Sequence, residues 1–110
     1  MAVVILTSTP TKEELRQICE DYSDFIKVVV DIEKEILAAG GEWHSDAEKI
    51  LLEQGSLQKN LWGGGLRLSN AEIDFISLIN TRPNLNRSQE VFDPEIRAKM
   101  EAIIRKIFEL

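Results

Sequence analysis

Residues 40–48 form the densest cluster of potentially reactive side chains, and they include the only histidine of the chain. On a strand, Glu42 and His44 would lie two residues apart on one face, with Asp46 just past the strand end. One imidazole and two carboxylates could ligate a metal, or His44 could act as a base that an acid orients. A single histidine cannot build a His-rich zinc site, and the H-E-x-x-H pattern is absent. Alternatively, Asp46 and Glu48 lie at a helix N-terminus, where carboxylates favour the helix dipole.

A second polar cluster, residues 80–88, has the composition of an anion-binding loop. It contains Arg82, Asn86, Arg87 and Ser88, and no acidic residue lies between positions 74 and 90. Arginine binds carboxylate or phosphate through two parallel hydrogen bonds, and asparagine and serine supply further donors. Binding residues commonly lie on loops of a rigid scaffold. The pattern therefore predicts a ligand site in the 82–87 loop.

The same loop also fits a purely structural role. In that interpretation the asparagines and Pro83 form turns, and Arg82 and Arg87 pair across the sheet with a carboxylate. The candidate partners are Asp31, Glu33 and Glu42. The sequence leaves both the ligand site and the structural clasp open.

Three further features have weaker chemical meaning. Trp43 and Trp62 are candidate cleft walls, with Trp62 placed among the ligand-binding residues, although each indole also suits a hydrophobic core. Gly63-Gly64-Gly65 lacks the spacing of a phosphate-binding loop and predicts a bulge or a close backbone approach. The acidic residues at 31, 33 and 35 are expected on a solvated strand edge rather than around a cation. We predict no metal and no cofactor.

Composition and charge exclude several classes of protein. Thirteen Lys and Arg against nineteen Asp and Glu give 13 − 19 = −6, which argues against general nucleic-acid binding. No segment approaches the roughly 20 apolar residues of a membrane-spanning helix. The lone Cys19 cannot form an internal disulfide, and we expect it in the core. We expect a cytoplasmic monomer or homodimer whose partner is a small anion or another protein.

Hydrophobic patterns predict the strands that carry these clusters. Residues 2–6 are a short β-branched run, and alternation over 25–33 predicts a strand with one wetter face. Two more strands are expected at 61–68 and 73–80. Residues 36–44 fit either a hairpin partner or a helix start, and the two adjacent glycines favour the hairpin.

Apolar positions at helical spacing predict three helices, over 12–22, over 46–54 and from 94 onward. Their expected N-terminal signals are the capping boxes Thr11/Glu14 and Ser45/Glu48, and Asp93 before Pro94. The order β-α-β-β-α-β-β-α predicts one α+β domain over residues 1–110. Its largely antiparallel sheet would have about four to five strands, covered by about three helices.

Five blocks of sequence are distinctive as a set. They are GGEWHSDAE (40–48), LLEQGS (51–56), LWG (61–63), INTRPNLNRS (79–88) and DPEIR (93–97). In this order they resemble a family of small bacterial proteins known only as a domain of unknown function. The resemblance covers nearly the whole chain and implies a compact α+β domain. It implies no activity, substrate or catalytic residue.

Two functional hypotheses follow from the polar clusters. The first is a binding or regulatory module in which the 82–87 loop, with Glu42 and His44 beside it, holds a small anion or a partner segment. The second is a small hydrolase with His44 as general base, oriented by Glu42 or Asp46, and with an arginine stabilising negative charge. We favour binding, because no nucleophile stands at a recognisable spacing from the histidine and 110 residues leave little room for a deep pocket.

Overall fold

The β-branched and apolar segments form a five-stranded antiparallel sheet in the computed structural model, which describes residues 3–19 and 24–110. The elements along the chain are β1 (Val3–Leu6), α1 (Lys12–Ile18), β2 (Phe25–Asp31), β3 (Ile36–Gly40), α2 (His44–Glu53), β4 (Leu61–Arg67), β5 (Glu72–Asp74) and α3 (Pro94–Phe108). Single 3₁₀ turns lie at Gln58–Asn60 and Leu78–Asn80. The predicted α+β class and the order of its elements are confirmed.

The sheet has the strand order β1-β3-β2-β4-β5, and β2 lies at its centre. β2 and β3 form a hairpin in which residues 31 and 36 are the last pair before the turn. β4 pairs with β2 along its whole length. None of the helices in the described part of the chain is long and apolar enough to cross a membrane.

Helices cover both faces of this sheet. On one face, α1 and α3 pack over a large core to which Ile26, Val28 and Trp62 belong. On the other face, Ala47 and Leu51 of α2 cover Val29 and further small residues. The predicted wetter face of β2 is therefore wrong, because α2 shields that face from water.

Buried Asp31 ties the β2–β3 turn to the end of α2. Its carboxylate accepts hydrogen bonds from the backbone N–H groups of Glu33 and Lys34 and, at 2.7 Å, from the hydroxyl of Ser56. Asp31 therefore does not lie on a solvated strand edge as predicted, whereas Glu33 and Glu35 are exposed.

Two of the three predicted helix starts are confirmed. Thr11 and Glu14 form the reciprocal capping box of α1, and the Asp93 carboxylate accepts a hydrogen bond from the N–H of residue 95 at the start of α3. The capping box at Ser45/Glu48 is wrong. α2 begins earlier, at His44, and Trp43 occupies the N-cap position without a side-chain hydrogen bond.

Several predicted boundaries also differ from the structure. The strand expected over 36–44 ends at Gly40, because Gly40 and Gly41 have φ angles of 98° and 81° and turn the chain into α2. The helix expected over 12–22 ends at Ile18, with half-buried Cys19 as its C-cap beside the α1–α3 core. Residues 20–22, and residue 2 of the first predicted strand, lie outside the described residues.

The last predicted strand, 73–80, is mostly wrong. β5 ends at Asp74, and the chain then leaves the ladder. The side chain of Asn80 takes over as the partner of β4, because it hydrogen-bonds both the N–H and the C=O of Gly63. A side-chain amide thus replaces a strand backbone at this edge.

Candidate functional site

A cavity of about 240 Å³ lies where the N-terminus of α2 meets the chain that follows β5. We call it the His44 cavity. It is lined by Lys27, Trp43, His44, Ser45, Ile76, Ser77, Leu78, Ile79 and Gln89. Residues far apart in sequence thus meet in one concave site.

The glycines of β4 make room for the side chains of this cavity. A β-carbon at Gly63 would lie 2.6 Å from Cβ of Ser77 and 3.2 Å from Cδ2 of His44. A β-carbon at Gly65 would overlap the ring of Phe25. The predicted close backbone approach is confirmed, whereas the predicted alternative of a bulge is not, because β4 keeps an unbroken register with β2.

His44 is held in one orientation above β4. Its Nε2 lies 2.7 Å from the carbonyl oxygen of Gly64, so this nitrogen donates a proton and Nδ1 is left as the acceptor. Burial lowers the pKa of His44, and the ammonium group of Lys27 lowers it further, whereas the Gly64 hydrogen bond and the Asp74 carboxylate act against this change. The imidazole is therefore neutral at pH 7.

Lys27 brings a positive charge to the mouth of the cavity. Its ammonium donates a hydrogen bond of 2.5 Å to the backbone carbonyl of Glu42 and lies 5.5 Å from the centroid of the Trp43 ring. In the sheet register Lys27 pairs with Gly65, beside which the ring of Phe25 and the carboxylate of Asp74 lie. The lysine charge thus has a defined position.

Large apolar side chains surround this charge. Trp43 is 60% exposed, Leu78 is 72% exposed and Ile76 is 49% exposed, although each also lines the cavity. Apolar residues that are exposed together around a concavity are typical of a binding site. The arrangement can therefore hold an apolar group beside a positive charge.

The predicted juxtaposition of Glu42 and His44 on one strand is wrong, since Glu42 lies in the turn after β3 and His44 begins α2. The side chain of Glu42 is exposed, and half-buried Asp46 has one carboxylate oxygen, Oδ2, that is buried without a partner. Within the described residues, neither carboxylate hydrogen-bonds to the imidazole. The arrangement expected of a base oriented by an acid is not present there.

Arg82 stabilises the fold through contacts with the backbone and with a core side chain. Its guanidinium donates hydrogen bonds to the carbonyls of Lys59, Leu61 and Ile79 and stacks 4.0 Å from the centroid of the Trp62 ring. Burial lowers its pKa, although the Glu48 carboxylate acts in the opposite direction. The predicted ion pairs with Asp31, Glu33 or Glu42 are wrong for Arg82, because backbone carbonyls and an indole ring take their place.

The polar side chains beside Arg82 also hydrogen-bond to the backbone. The amide nitrogen of Asn86 lies within 3.0 Å of the carbonyls of Asn80, Ser88 and Glu90, and its oxygen accepts from the N–H of Phe92. The Ser88 hydroxyl accepts from the N–H of Glu90. These side chains set the shape of the loop from within.

Arg87 is the arginine of this loop that faces solvent. It lines a second, more open cavity together with Asn84, Leu85, Asn86, Phe92 and Asp93, which we call the Arg87 cavity. In the described part of the chain its guanidinium makes no hydrogen bond or ion pair. The Arg87 and His44 cavities share no lining residue, so the structure does not bring these two candidates together.

The two arginines should therefore respond differently to truncation. We expect Arg82→Ala to lower the free energy of unfolding by about 2 kcal/mol, because it removes the contact with Trp62 and the hydrogen bonds to carbonyl groups. Arg87→Ala should change it by less than about 0.5 kcal/mol. Urea denaturation of both variants measures the difference, and equal losses would contradict the assignment of Arg82 as the structural arginine.

The two tryptophans have opposite roles. Trp62 is 2% exposed and belongs to the core under α3, so it does not form the wall of a cleft. Trp43 stands at the mouth of the His44 cavity, as a cleft wall would. No group of three or more His, Cys, Asp and Glu residues that could hold a metal ion occurs in residues 3–19 and 24–110.

Sequence reasoning missed Lys27, Leu78 and Gln89 as site residues. A signal for Lys27 was that it is the one basic residue of β2. The three glycines of β4, one of which pairs with Lys27, indicated that few side chains cover this part of the sheet. Nothing in the sequence indicated that Leu78 is a site residue, because the prediction of a strand over 73–80 placed it within a regular sheet. Its place at the cavity depends on the chain leaving that ladder after β5.

Comparisons with known proteins show the family of this chain and nothing of its activity. Comparison with curated proteins and with solved structures gives no match. One family profile, in contrast, matches residues 4–107, which is nearly the whole chain. The chain therefore belongs to the family described as Protein of unknown function (DUF5674).

Proposed function

We propose that this protein is a binding module and that the His44 cavity holds its ligand. The observation that carries the proposal is the meeting of exposed apolar side chains with an ammonium group in one concave site. Trp43, Ile76 and Leu78 surround the mouth, and Lys27 stands beside them. Small-molecule sites commonly combine such an apolar lining with a few polar groups.

Two polar side chains of the 82–87 loop already hydrogen-bond to the backbone, which supports placing the ligand site in the His44 cavity and not in this loop. Arg82 and Asn86 donate their hydrogen bonds to backbone carbonyls, and Arg87 is the arginine of this loop that faces solvent. Binding by Arg87 and Ser88 stays a prediction. In our proposal the loop instead supports the segment 76–79, which forms one wall of the His44 cavity.

The geometry of His44 favours binding over hydrolysis. One ring nitrogen is tied to the Gly64 carbonyl, and no carboxylate in the described residues orients the ring for proton transfer. A neutral imidazole in this position can instead accept a hydrogen bond at Nδ1. We infer that His44 contributes a polar contact to the ligand.

Titration of the protein with indole tests the proposal. An apolar cavity of roughly 150 Å³ is large enough for benzene, so a cavity of about 240 Å³ suits a small aromatic group. We expect the backbone amide NMR signals of Ser45, Gly63 and Leu78 to shift on titration. Leu78→Ala should weaken the binding about fivefold, because it removes apolar contact at the mouth.

Leu85→Ala is the matched control. Leu85 is also a largely exposed leucine, but it lines the Arg87 cavity. This variant should bind indole as the unchanged protein does. Equal weakening by both variants, or shifts confined to residues around Arg87, would contradict the placement of the site.

A further inference from the structure

We propose that the ligand of the His44 cavity is a small ring compound that carries an N–H or O–H group, and that Nδ1 of His44 accepts the hydrogen bond of this group. The inference rests on the proposed function, because it names the class of ligand for the same site. It is carried by the orientation of the imidazole ring between β4 and the cavity.

The contact of the ring with β4 determines which nitrogen carries the proton. Nε2 of His44 lies 2.7 Å from the carbonyl oxygen of Gly64, and a carbonyl oxygen can only accept a hydrogen bond. Nε2 is therefore the protonated nitrogen, and Nδ1 of the neutral ring carries a lone pair. Burial lowers the pKa of His44, which keeps the ring neutral at pH 7.

The same side of the ring also determines where Nδ1 lies. Cδ2 of His44 faces Gly63, because a β-carbon at that glycine would lie 3.2 Å from it, and Nε2 faces Gly64. The bond between Cδ2 and Nε2 therefore lies against β4. In the five-membered imidazole ring Nδ1 is the atom opposite this bond, so Nδ1 is on the side of the ring away from β4.

Within the described residues, no protein group occupies this acceptor. Nδ1 receives no hydrogen bond there, and it is not one of the buried side-chain atoms that lack a partner. Nδ1 is therefore accessible from outside. A ligand that enters the His44 cavity can reach it.

The uncharged polar side chains that also line the cavity do not offer a comparable acceptor. Oγ of Ser77 already accepts a hydrogen bond from the N–H of Ile79. The side chains of Ser45 and Gln89 are exposed, and exposed side chains change rotamer within nanoseconds. His44, in contrast, is fixed by its bond to the Gly64 carbonyl. The fixed acceptor of the lining is therefore Nδ1.

The apolar mouth and this acceptor together define the ligand. Trp43 and Leu78 offer contact to an apolar ring. A ring without a donor would cover Nδ1 and leave its lone pair without a hydrogen bond, which costs free energy. The site therefore favours a ring that brings its own N–H or O–H group.

A matched pair of ligands tests the inference. Indole and benzofuran have nearly the same size and shape, but indole carries an N–H group where benzofuran carries an oxygen atom. At pH 7 we expect indole to bind about fivefold tighter than benzofuran in NMR titrations, a ratio typical of one hydrogen bond. Benzofuran should still bind, because the contacts of its rings remain.

The ring nitrogens of His44 give a second measurement on the unchanged protein. His44 is the only histidine of the chain, so its nitrogen signals are assigned without ambiguity. In long-range proton–nitrogen NMR spectra, Nε2 should be the protonated nitrogen. The signal of Nδ1 should move upfield when indole is added and stay in place when benzofuran is added.

Two variants separate the hydrogen bond from the ring contacts. His44→Leu removes the acceptor and should abolish the preference for indole. Leu78→Ala removes apolar contact and should weaken both compounds alike, so that their ratio is kept. If the His44 variant does not fold, the nitrogen signals of the unchanged protein decide the question.

The outcomes distinguish this inference from the proposed function. Equal affinity for indole and benzofuran, a proton on Nδ1 in the free protein, or a preference that survives in His44→Leu would overturn the inference while the binding module stands. Absence of binding by both compounds would remove the proposed function itself.

Discussion

Replacing Ile104 with aspartate is expected to abolish the cooperative folding of this protein. The Ile104 side chain is completely buried in the core between α3 and the sheet. An unpaired carboxylate at this position would cost several kcal/mol, in addition to about 2 kcal/mol of lost apolar burial. A small domain is stable by only about 5–15 kcal/mol. A thermal melt followed by far-UV circular dichroism should therefore lose its sigmoidal transition.

Ala102→Asp is the control on the same helix. Ala102 is exposed on α3, two residues before Ile104. Its replacement should cost less than about 1 kcal/mol, mainly through helix propensity. A cooperative melt for Ile104→Asp that matches the unchanged protein would mean that α3 does not present this face to the sheet.

Asn80→Asp is expected to give the second largest loss, about 4 kcal/mol in the free energy of unfolding. Asn80 is completely buried, and its amide nitrogen lies within 3.2 Å of the carbonyls of Gly63, Phe75 and Gln89. Aspartate has nearly the same shape but no donor. It would bury a charge that faces these carbonyl oxygens and leave them unsatisfied. Urea denaturation measures the loss.

Asn84→Asp makes the same chemical change at an exposed position. Asn84 has a φ of 66°, a backbone conformation that aspartate tolerates nearly as well as asparagine. We expect a change below about 0.5 kcal/mol. A loss for Asn80→Asp as small as this would show that the amide donors of Asn80 do not hold the segment after β5.

Asn80 also links the fold to the proposed site. Its hydrogen bonds to Gly63 fasten the 3₁₀ turn Leu78–Asn80 beside β4, and that turn carries Leu78 to the mouth of the His44 cavity. In addition, its own backbone carbonyl accepts from the side chain of Asn86. The polar residues of the 82–87 loop thus act on the cavity through the backbone, although they do not line it.

The elements determined by the sequence alone are those whose signal is local. α3 shows an apolar stripe at helical spacing behind an Asp-Pro start, and Thr11 and Glu14 lie three residues apart in a reciprocal cap. Such patterns depend on neighbours within one or two helical turns, so they form whatever the distant parts of the chain are. The α+β class follows for the same reason, because the spacing of apolar residues within each segment indicates whether it is a helix or a strand.

The tertiary structure alone decided the features that depend on distant partners. The backbone of Gly63 donates one hydrogen bond to the side chain of Asn80, 17 residues away, and accepts another from it. This pairing replaces the strand expected over 73–80. His44 reaches the carbonyl of Gly64 across 20 residues, and Lys27 reaches that of Glu42 across 15. A buried polar group takes whichever partner the packed fold brings within hydrogen-bond distance, and spacing along the chain does not specify that partner. The sequence therefore identified His44 as a residue of interest, and packing determined which side chains share its cavity.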